Sequence, residues 1–318
     1  MIRLDRTVDR VVGEPVKRAV AGSVLRMLGS RRTPPDDDWL LGDAGDPGLF
    51  GPDSVAWKVH ADLTSMLTGG ISALLLQTLH PGAMAGVADH SDYRRDPTGR
   101  LHRTGAFIVN TTYGSTREAE RAIDAVRRIH DRVNGVRPDG IPYDANDPEL
   151  LTWVHVAEVG QFLRSYQRYG PGRLSARDVD RYYAEVAEVA RRLGARRVPT
   201  SAAEVRDYYR RVRPALTGTE QAIEAVGFLT EPKGATLSER SIYGLLVQAA
   251  IAVLPHWARP MLGLPQPIVV GEAFRLPTWT AGTVLRWALG ESPVVARARQ
   301  RTELAGVVHA RHASHRSR

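Results

Sequence analysis

Ser115-Thr116-Arg117-Glu118-Ala119-Glu120-Arg121-Ala122-Ile123-Asp124-Ala125-Val126-Arg127-Arg128-Ile129-His130-Asp131-Arg132-Val133-Asn134-Gly135 is the stretch whose period decides the fold. Ala119, Ile123, Val126 and Val133 recur at steps of four, three and seven, which is one apolar stripe of an amphipathic helix. Ser115 with Glu118 fits a capping box at its start, and Gly135 fits a left-handed cap at its end. His130 fills the gap in the stripe, four residues after Val126 and three before Val133, so the spacing aims an imidazole at the core. Two readings of it stand: a core histidine bonded to a carbonyl, or a metal or haem ligand held on a rigid helix.

Upstream, Asp96-Pro97 breaks the chain and Gly99-Arg100-Leu101-His102-Arg103-Thr104 begins another helix. Arg100, Arg103, Thr104 and Phe107 then share one face by helical spacing. Two guanidiniums and a hydroxyl beside an aromatic suit a carboxylate, because arginine forks pair bidentately with it. The alternative is a solvated charged face. Farther up, Asp53 to Leu79 reads as one or two helices broken at Gly69-Gly70, and His80 stands before Pro81 at the end of that apolar run. There it suits a helix C-terminus, where an imidazole interacts with the last carbonyls. His90 leads into Ser91-Asp92, which look like turn or cap residues.

Downstream, Asp147-Pro148 provides an N-cap and a first helical position, and Leu151, Val154, Val159, Phe162 and Leu163 mark the buried face. His155 falls among them, one turn before Glu158. A ferritin-like di-iron site needs two Glu-x-x-His pairs and two more carboxylates, and the chain supplies no such set and no His-Glu-x-x-His motif. His155 therefore reads as core, or as support for a ligand-bearing neighbour. Ser175 begins an Arg/Glu-rich helix to about Leu193, and Ser201 with Glu204 forms another capping box. Helices follow at about 202–213, 217–227, 242–254, 272–289 and 293–308, with a proline-rich passage from Pro255 to Pro267. Hairpin signals flanked by alternating β-branched runs are missing, so the expectation is almost no strand.

With 318 residues and a 43% hydrophobic fraction, the chain has ample material for a core. It has no cysteine, which excludes disulfides, thiolate-ligated haem and a cysteine nucleophile. A formal charge of +8 invites a nucleic-acid partner, but 35 acidic residues interleave with the basic ones and no nucleic-acid-binding signature occurs. The expectation is no nucleic acid. Residues 1–30 form a basic amphipathic segment, in which Arg3, Arg6, Arg10, Lys17, Arg18 and Arg26 alternate with Val11, Val12, Val16, Val20, Val24, Leu25 and Leu28. It lacks the apolar run and cleavage site of a signal peptide, so it reads as a helix packed on the domain, or as a membrane-surface contact through residues 1–29. No apolar run is long enough to span a bilayer. A cytoplasmic location follows as the expectation, with contact at the membrane periphery as its variant. The domain proper reads as 31–305, and 306–318 as a basic, disordered tail.

The motifs Leu79-His80-Pro81, His90-Ser91-Asp92-Tyr93, Asp96-Pro97-Thr98-Gly99-Arg100, Arg103-Thr104, Arg128-Ile129-His130 and Leu150-Leu151-Thr152-Trp153-Val154-His155 occur in this order. As an ordered set this resembles the latex-clearing protein (rubber oxygenase) family. That catalytic domain also occurs in the fungal oxygenase that cleaves the farnesyl chain in mycophenolic acid biosynthesis. The resemblance runs from about Trp39 to about Leu264. It implies an all-α, single-domain fold with a globin-like core that holds haem b through His130. It implies a cofactor-binding set of His130, Arg100, Arg103, His80 and Arg127, and a catalytic set of Arg100, Arg103 and Thr104. The implied chemistry is oxygenation, with O₂, of an unsaturated lipophilic, isoprenoid-like or other small organic substrate. Latex-clearing proteins carry a lysine before the motif threonine that can cap the iron. Here that position is Arg103, whose guanidinium has no lone pair to give. The rival expectations are a haem-free helical protein that binds a ligand on the same scaffold, and a basic peripheral membrane protein.

Overall fold

In the computed structural model the described residues are 42–92, 94, 97–231, 237–264 and 268–303, together with Lys17 and Gly22. The expectations for the rest of residues 1–41, for Tyr93, Arg95 and Asp96, for the Arg100 side chain, for Pro265 and Pro267, and for the tail from 304 lie outside them. The helices are α1 (Val55–His60), α2 (Leu63–Gln77), α3 (Pro81–His90), α4 (Pro97–Tyr113), α5 (Thr116–His130), α6 (Pro148–Tyr169), α7 (Ala176–Leu193) and α8 (Ala202–Val212). They continue with α9 (Glu220–Thr230), α10 (Leu237–Val253), α11 (Ala258–Met261), α12 (Ile268–Ala273), α13 (Arg275–Leu289) and α14 (293–303). Between α5 and α6, β1 (Asn134–Val136) and β2 (Pro142–Asp144) form the one hairpin among the described residues. The protein is all-α.

The core is built around α2 crossing α6. Gly69 lies where the two backbones approach most closely: a Cβ there would come within 2.9 Å of Phe162 Cα and 3.0 Å of the Gln161 carbonyl oxygen. The expected break at Gly69-Gly70 is therefore not found. Gly69 sits inside a continuous α2 because packing, not a turn, requires the missing side chain, and Gly70 continues the helix with room for one. The break falls instead at Ala61-Asp62, where Asp62 Oδ1 caps α2 by accepting from Ser65 N at 2.9 Å. Polar groups lace the crossing along its length. Ser72 donates to Gln161 Oε1, Gln77 Nε2 to the Val154 carbonyl and Trp153 Nε1 to the Gln77 carbonyl, and the Thr68 and Ser165 hydroxyls share a hydrogen bond. Around the crossing, Leu75, Leu76, Leu79, Trp153, Tyr166, Tyr182 and Leu254 are fully buried.

The cap signals locate the other helices. Ser115 accepts from Glu118 N, Asp147 from Glu149 N and Leu150 N, Ser175 from Asp178 N and Ser201 from Glu204 N. Each such cap is worth about 1 kcal/mol. The turn Gly114-Ser115 folds α5 back along α4, and two distant segments clamp it. Asp46 accepts from the Thr116 amide and hydroxyl, both at 2.7 Å. Arg301, fully buried on α14, donates to the Asp46 and Gly114 carbonyls, while its own carbonyl accepts from Gly45 N. Burial alone would raise the Asp46 carboxyl, but the hydrogen bonds from Thr116 and Gly48 and the charge of Arg301 bring it below the usual range.

A methyl group at the crossing has nowhere to go. Gly69→Ala is expected to destabilise the fold by about 1–3 kcal/mol, the usual cost of overpacking. Gly227→Ala is the control: a Cβ there meets nothing within 4 Å, so the change leaves stability unaltered or slightly raised. Urea unfolding followed by circular dichroism checks both.

Candidate functional site

His130 closes α5, with Asp131 as C-cap. The helix ends five residues before the expected cap at Gly135, which instead lies in β1 beneath the ring of Tyr143, whose hydroxyl oxygen is 2.8 Å from where a Cβ would be. The hairpin is antiparallel, pairing Asn134 with Asp144, Gly135 with Tyr143 and Val136 with Pro142. Gly140 in its loop has φ 84°, so Asp139-Gly140 is a turn signal that the reading of the sequence missed. The hairpin sits on α3. Tyr143 OH donates to Asp89 Oδ2 at 2.6 Å, and His90 Nε2 donates to the Asn134 carbonyl at 3.2 Å. Burial, followed by the bond and charge of Asp89, pushes the Tyr143 hydroxyl up to about 12.

His130 Nδ1 is buried and has no hydrogen-bond partner among the described residues. Burial lowers its pKa, outweighing the opposing charges of Asp131 and Asp144. The lowered pKa favours the neutral imidazole, and its Nδ1 is satisfied by no group among the described residues. Buried polar atoms are rarely left so, because each costs roughly 1–3 kcal/mol.

The other predicted residues fall as follows. His80 is the N-cap of α3 rather than a C-terminal histidine of α2: its Nδ1 accepts from Ala83 N at 3.4 Å, and Pro81 takes the first helical position. Its ring lies 6.1 Å from that of Trp153. Burial lowers its pKa, with the Arg137 charge acting in the same sense and Asp147 against it. Arg127 is exposed one turn before His130. On α4, Arg103 is exposed and Thr104 half-buried, and the Arg100 backbone is helical. Among the described residues no hydrogen bond, ion pair or ring contact joins His130 to Arg103, Thr104, His80 or Arg127. Folding α5 back along α4 does bring the end that carries His130 toward the end that carries Arg100, Arg103 and Thr104, since each lies about ten or more residues from the Gly114-Ser115 turn at ~1.5 Å per residue.

One polar cluster was not foreseen. Beneath α4, a cavity of about 30 Å³ is lined by Phe107, Ile108, Thr111 and Thr112 of α4, by His155, Glu158 and Phe162 of α6 and by His60 of α1. Its volume admits no more than about two waters. His60 is fully engaged, with Nδ1 2.9 Å from Thr112 Oγ1 and Nε2 3.0 Å from Tyr182 OH, and burial drops its pKa to about 3. His155 and Glu158 are half-buried, and their side-chain nitrogens and oxygens keep some solvent access. Burial, helped by Arg191, takes His155 down to about 4, and burial takes Glu158 up to about 7. A groove of about 250 Å³ lined by Glu149, Arg197, Tyr208, Arg211 and Val212 contains none of the predicted site residues. Among the described residues no group of three or more His, Cys, Asp or Glu side chains is arranged to hold a metal ion, and no single helix is long and apolar enough to cross a membrane.

The described residues thus form an all-helical domain in which α5 ends at an imidazole and packs against α4, the helix that carries Arg103 and Thr104. Residues 57–287 match the family described as ER-bound oxygenase mpaB/B′/Rubber oxygenase, catalytic domain, and the chain belongs to that family. It is thus an oxygenase domain, whose partners are O₂ and an organic substrate. No curated protein and no solved structure matches it.

Glu158 gives a pH signature that can be measured. Its folded pKa lies above its unfolded one, so its contribution to stability is complete below pH 4.5 and is lost as pH rises to about 7, by about 3 kcal/mol at most. The folded pKa of His155 is depressed, so its contribution is lost in the other direction, as pH falls from 6.5 to about 4. Glu158→Gln should become progressively more stable relative to the parent between pH 4.5 and 7. A difference that does not change with pH, in urea titrations at both ends of the range, would mean that Glu158 is ionised throughout.

Proposed function

We propose that this chain is a haem b-dependent oxygenase acting with O₂ on an unsaturated lipophilic, isoprenoid-like substrate. The observation that carries the reading is the orphaned Nδ1 of His130. No set of three metal-binding side chains forms among the described residues, so a bare cation would lack the ligands it needs. A haem would need an imidazole nitrogen from the protein, and His130 would supply it in its neutral form. When bound, haem supplies the activation of O₂ at ferrous iron.

The chain's own residues then have these parts in the reading. His130 would hold the haem iron, and the hairpin seated on α3 holds its end of α5. Arg100 and Arg103 bind the propionate carboxylates as charge-assisted forks, with Arg127 and His80 at the margin of the cofactor. The Thr104 hydroxyl donates a hydrogen bond on the reacting side. The apolar face of α4 with Phe107 and Ile108 excludes water and suits a lipophilic substrate. A globin-like arrangement of the core and a cytoplasmic location belong to the same proposal.

Purified protein expressed with added haem is expected to show a Soret band, and His130→Ala to abolish haem retention while helical circular dichroism stays largely intact. Unchanged haem stoichiometry in the variant would remove His130 from its role.

Because Arg103 cannot ligate iron, the ferric protein is expected to bind imidazole and cyanide readily. A bis-histidine spectrum that resists added imidazole would contradict this. Single substitutions of His80 and His155 would then identify the second ligand.

A further inference from the structure

One face of α13 is packed and the opposite face is bare. Thr278 and Gly282 are buried, and Arg286 reaches back to Asp62, the α2 cap, at 2.7 Å. A Cβ on Gly282 would lie 3.1 Å from Thr64 Oγ1, so this side is pressed against α2. On the other side Leu276 is 68% exposed, Trp279 and Trp287 are 44% and Val284 is 43%. Leu276, Trp279 and Trp287 stand at i, i+3 and i+11, one stripe along three turns, with Val284 beside it. Two half-exposed tryptophans in line on one helix are a surface that expects cover.

The structure indicates what arrives there. Lys17 Nζ lies 5.1 Å from the centre of the Trp287 ring, a cation–π contact with a residue 270 positions away in the chain. Lys17 is helical, and so is Gly22. On a helix through Lys17, the residues that share its face are Val20, Val24 and Leu28, at i+3, i+7 and i+11. Counted back from Trp287, the α13 residues Val284, Trp279 and Leu276 stand at steps of 3, 8 and 11, within one residue of that spacing. Only one direction uses the match. Running antiparallel from Lys17 at Trp287, Val20 falls beside Val284, Val24 near Trp279 and Leu28 at Leu276. Running parallel, the segment would leave α13 at once, because the helix ends at Leu289 and Gly290 turns at φ 63°.

We infer that the exposed Leu276–Trp279–Val284–Trp287 face of α13 is the docking surface for this chain's own residues 17–28, laid antiparallel upon it. On the same helical spacing, Arg18 and Arg26 fall off that stripe. The inference is independent of the proposed chemistry.

The chain has no cysteine, so introduced ones are unambiguous. In the full-length protein, the pair Leu28→Cys with Leu276→Cys is treated with a short bis-maleimide, and products are read by intact mass and peptide mapping. The comparison pair is Leu28→Cys with Trp287→Cys, which the antiparallel arrangement separates by about 16 Å of helix. The expected result is an intramolecular link at monomer mass in the first pair, several-fold more abundant than in the second, and lost when Val20 and Val24 are both changed to Asp. The reverse preference overturns the arrangement, and so does the absence of a link in both pairs. A link at twice the monomer mass means that the face belongs to a second copy. A parallel flotation test uses vesicles of phosphatidylcholine and phosphatidylglycerol with the parent and with Trp279→Ser/Trp287→Ser. If the parent floats and the variant does not, the face belongs to a lipid surface and the inference fails.

Discussion

The contact at Gly69 is the constraint on which the rest of this structure depends. Two long helices can carry several others only if they lie close enough for one crossing to organise both, and a hydrogen atom in place of a side chain sets that closeness against Phe162. Once the backbones are that near, hydroxyl and amide side chains on α2 and α6 reach one another directly, and the interface becomes partly polar, although Gln161 Nε2 and Thr64 Oγ1 find no partner among the described residues. α2 then fixes what lies at its two ends. At its start, Asp62 both caps it and pairs with Arg286 of α13. At its finish, Gln77 takes the indole of Trp153, and His80 starts α3.

The position of His130 is a consequence at several removes. The His80 cap starts α3, α3 offers Asp89 and His90, and these hold Tyr143 and Asn134 of the hairpin. The hairpin in turn ends α5 at an imidazole. No link in this series is strong alone. A cap is worth about 1 kcal/mol and a side-chain hydrogen bond about as much. Together they hold a buried ring nitrogen that has no internal partner, a state the unaided chain would not favour. In the proposed reading, a bound ligand relieves that cost.

Helix starts were the most legible part of the sequence, because each is a local exchange between a short polar side chain and an amide three residues on. Ser115, Asp147, Ser175 and Ser201 all act as their spacing predicts. Glycine was the least legible, because its meaning depends on what comes near it. Gly69-Gly70 looks like a break and is a crossing; Gly135 looks like a cap and is a strand residue under a tyrosine. At the site, the imidazole of His130 was legible as an interruption of an apolar stripe. The cavity was not, because His60, Tyr182 and Glu158 come from three helices, and only the fold brings them within reach of one another. His80 was placed on the wrong helix end, since a histidine before proline at the close of an apolar run carries no sign of which neighbour it serves.

Arg301 separates two boundaries that are easily taken as one. The stretch that kinship recognises runs from 57 to 287, yet Asp46 and Arg301, which grip the corner between α4 and α5, lie outside it on either side. The cooperative unit is therefore larger than the recognisable one. A fragment trimmed to the region of likeness would keep every motif and lose the clasp that sets the angle between the helix bearing the imidazole and the helix bearing the arginines. Any swap of this domain between proteins has to carry both of its own flanks with it.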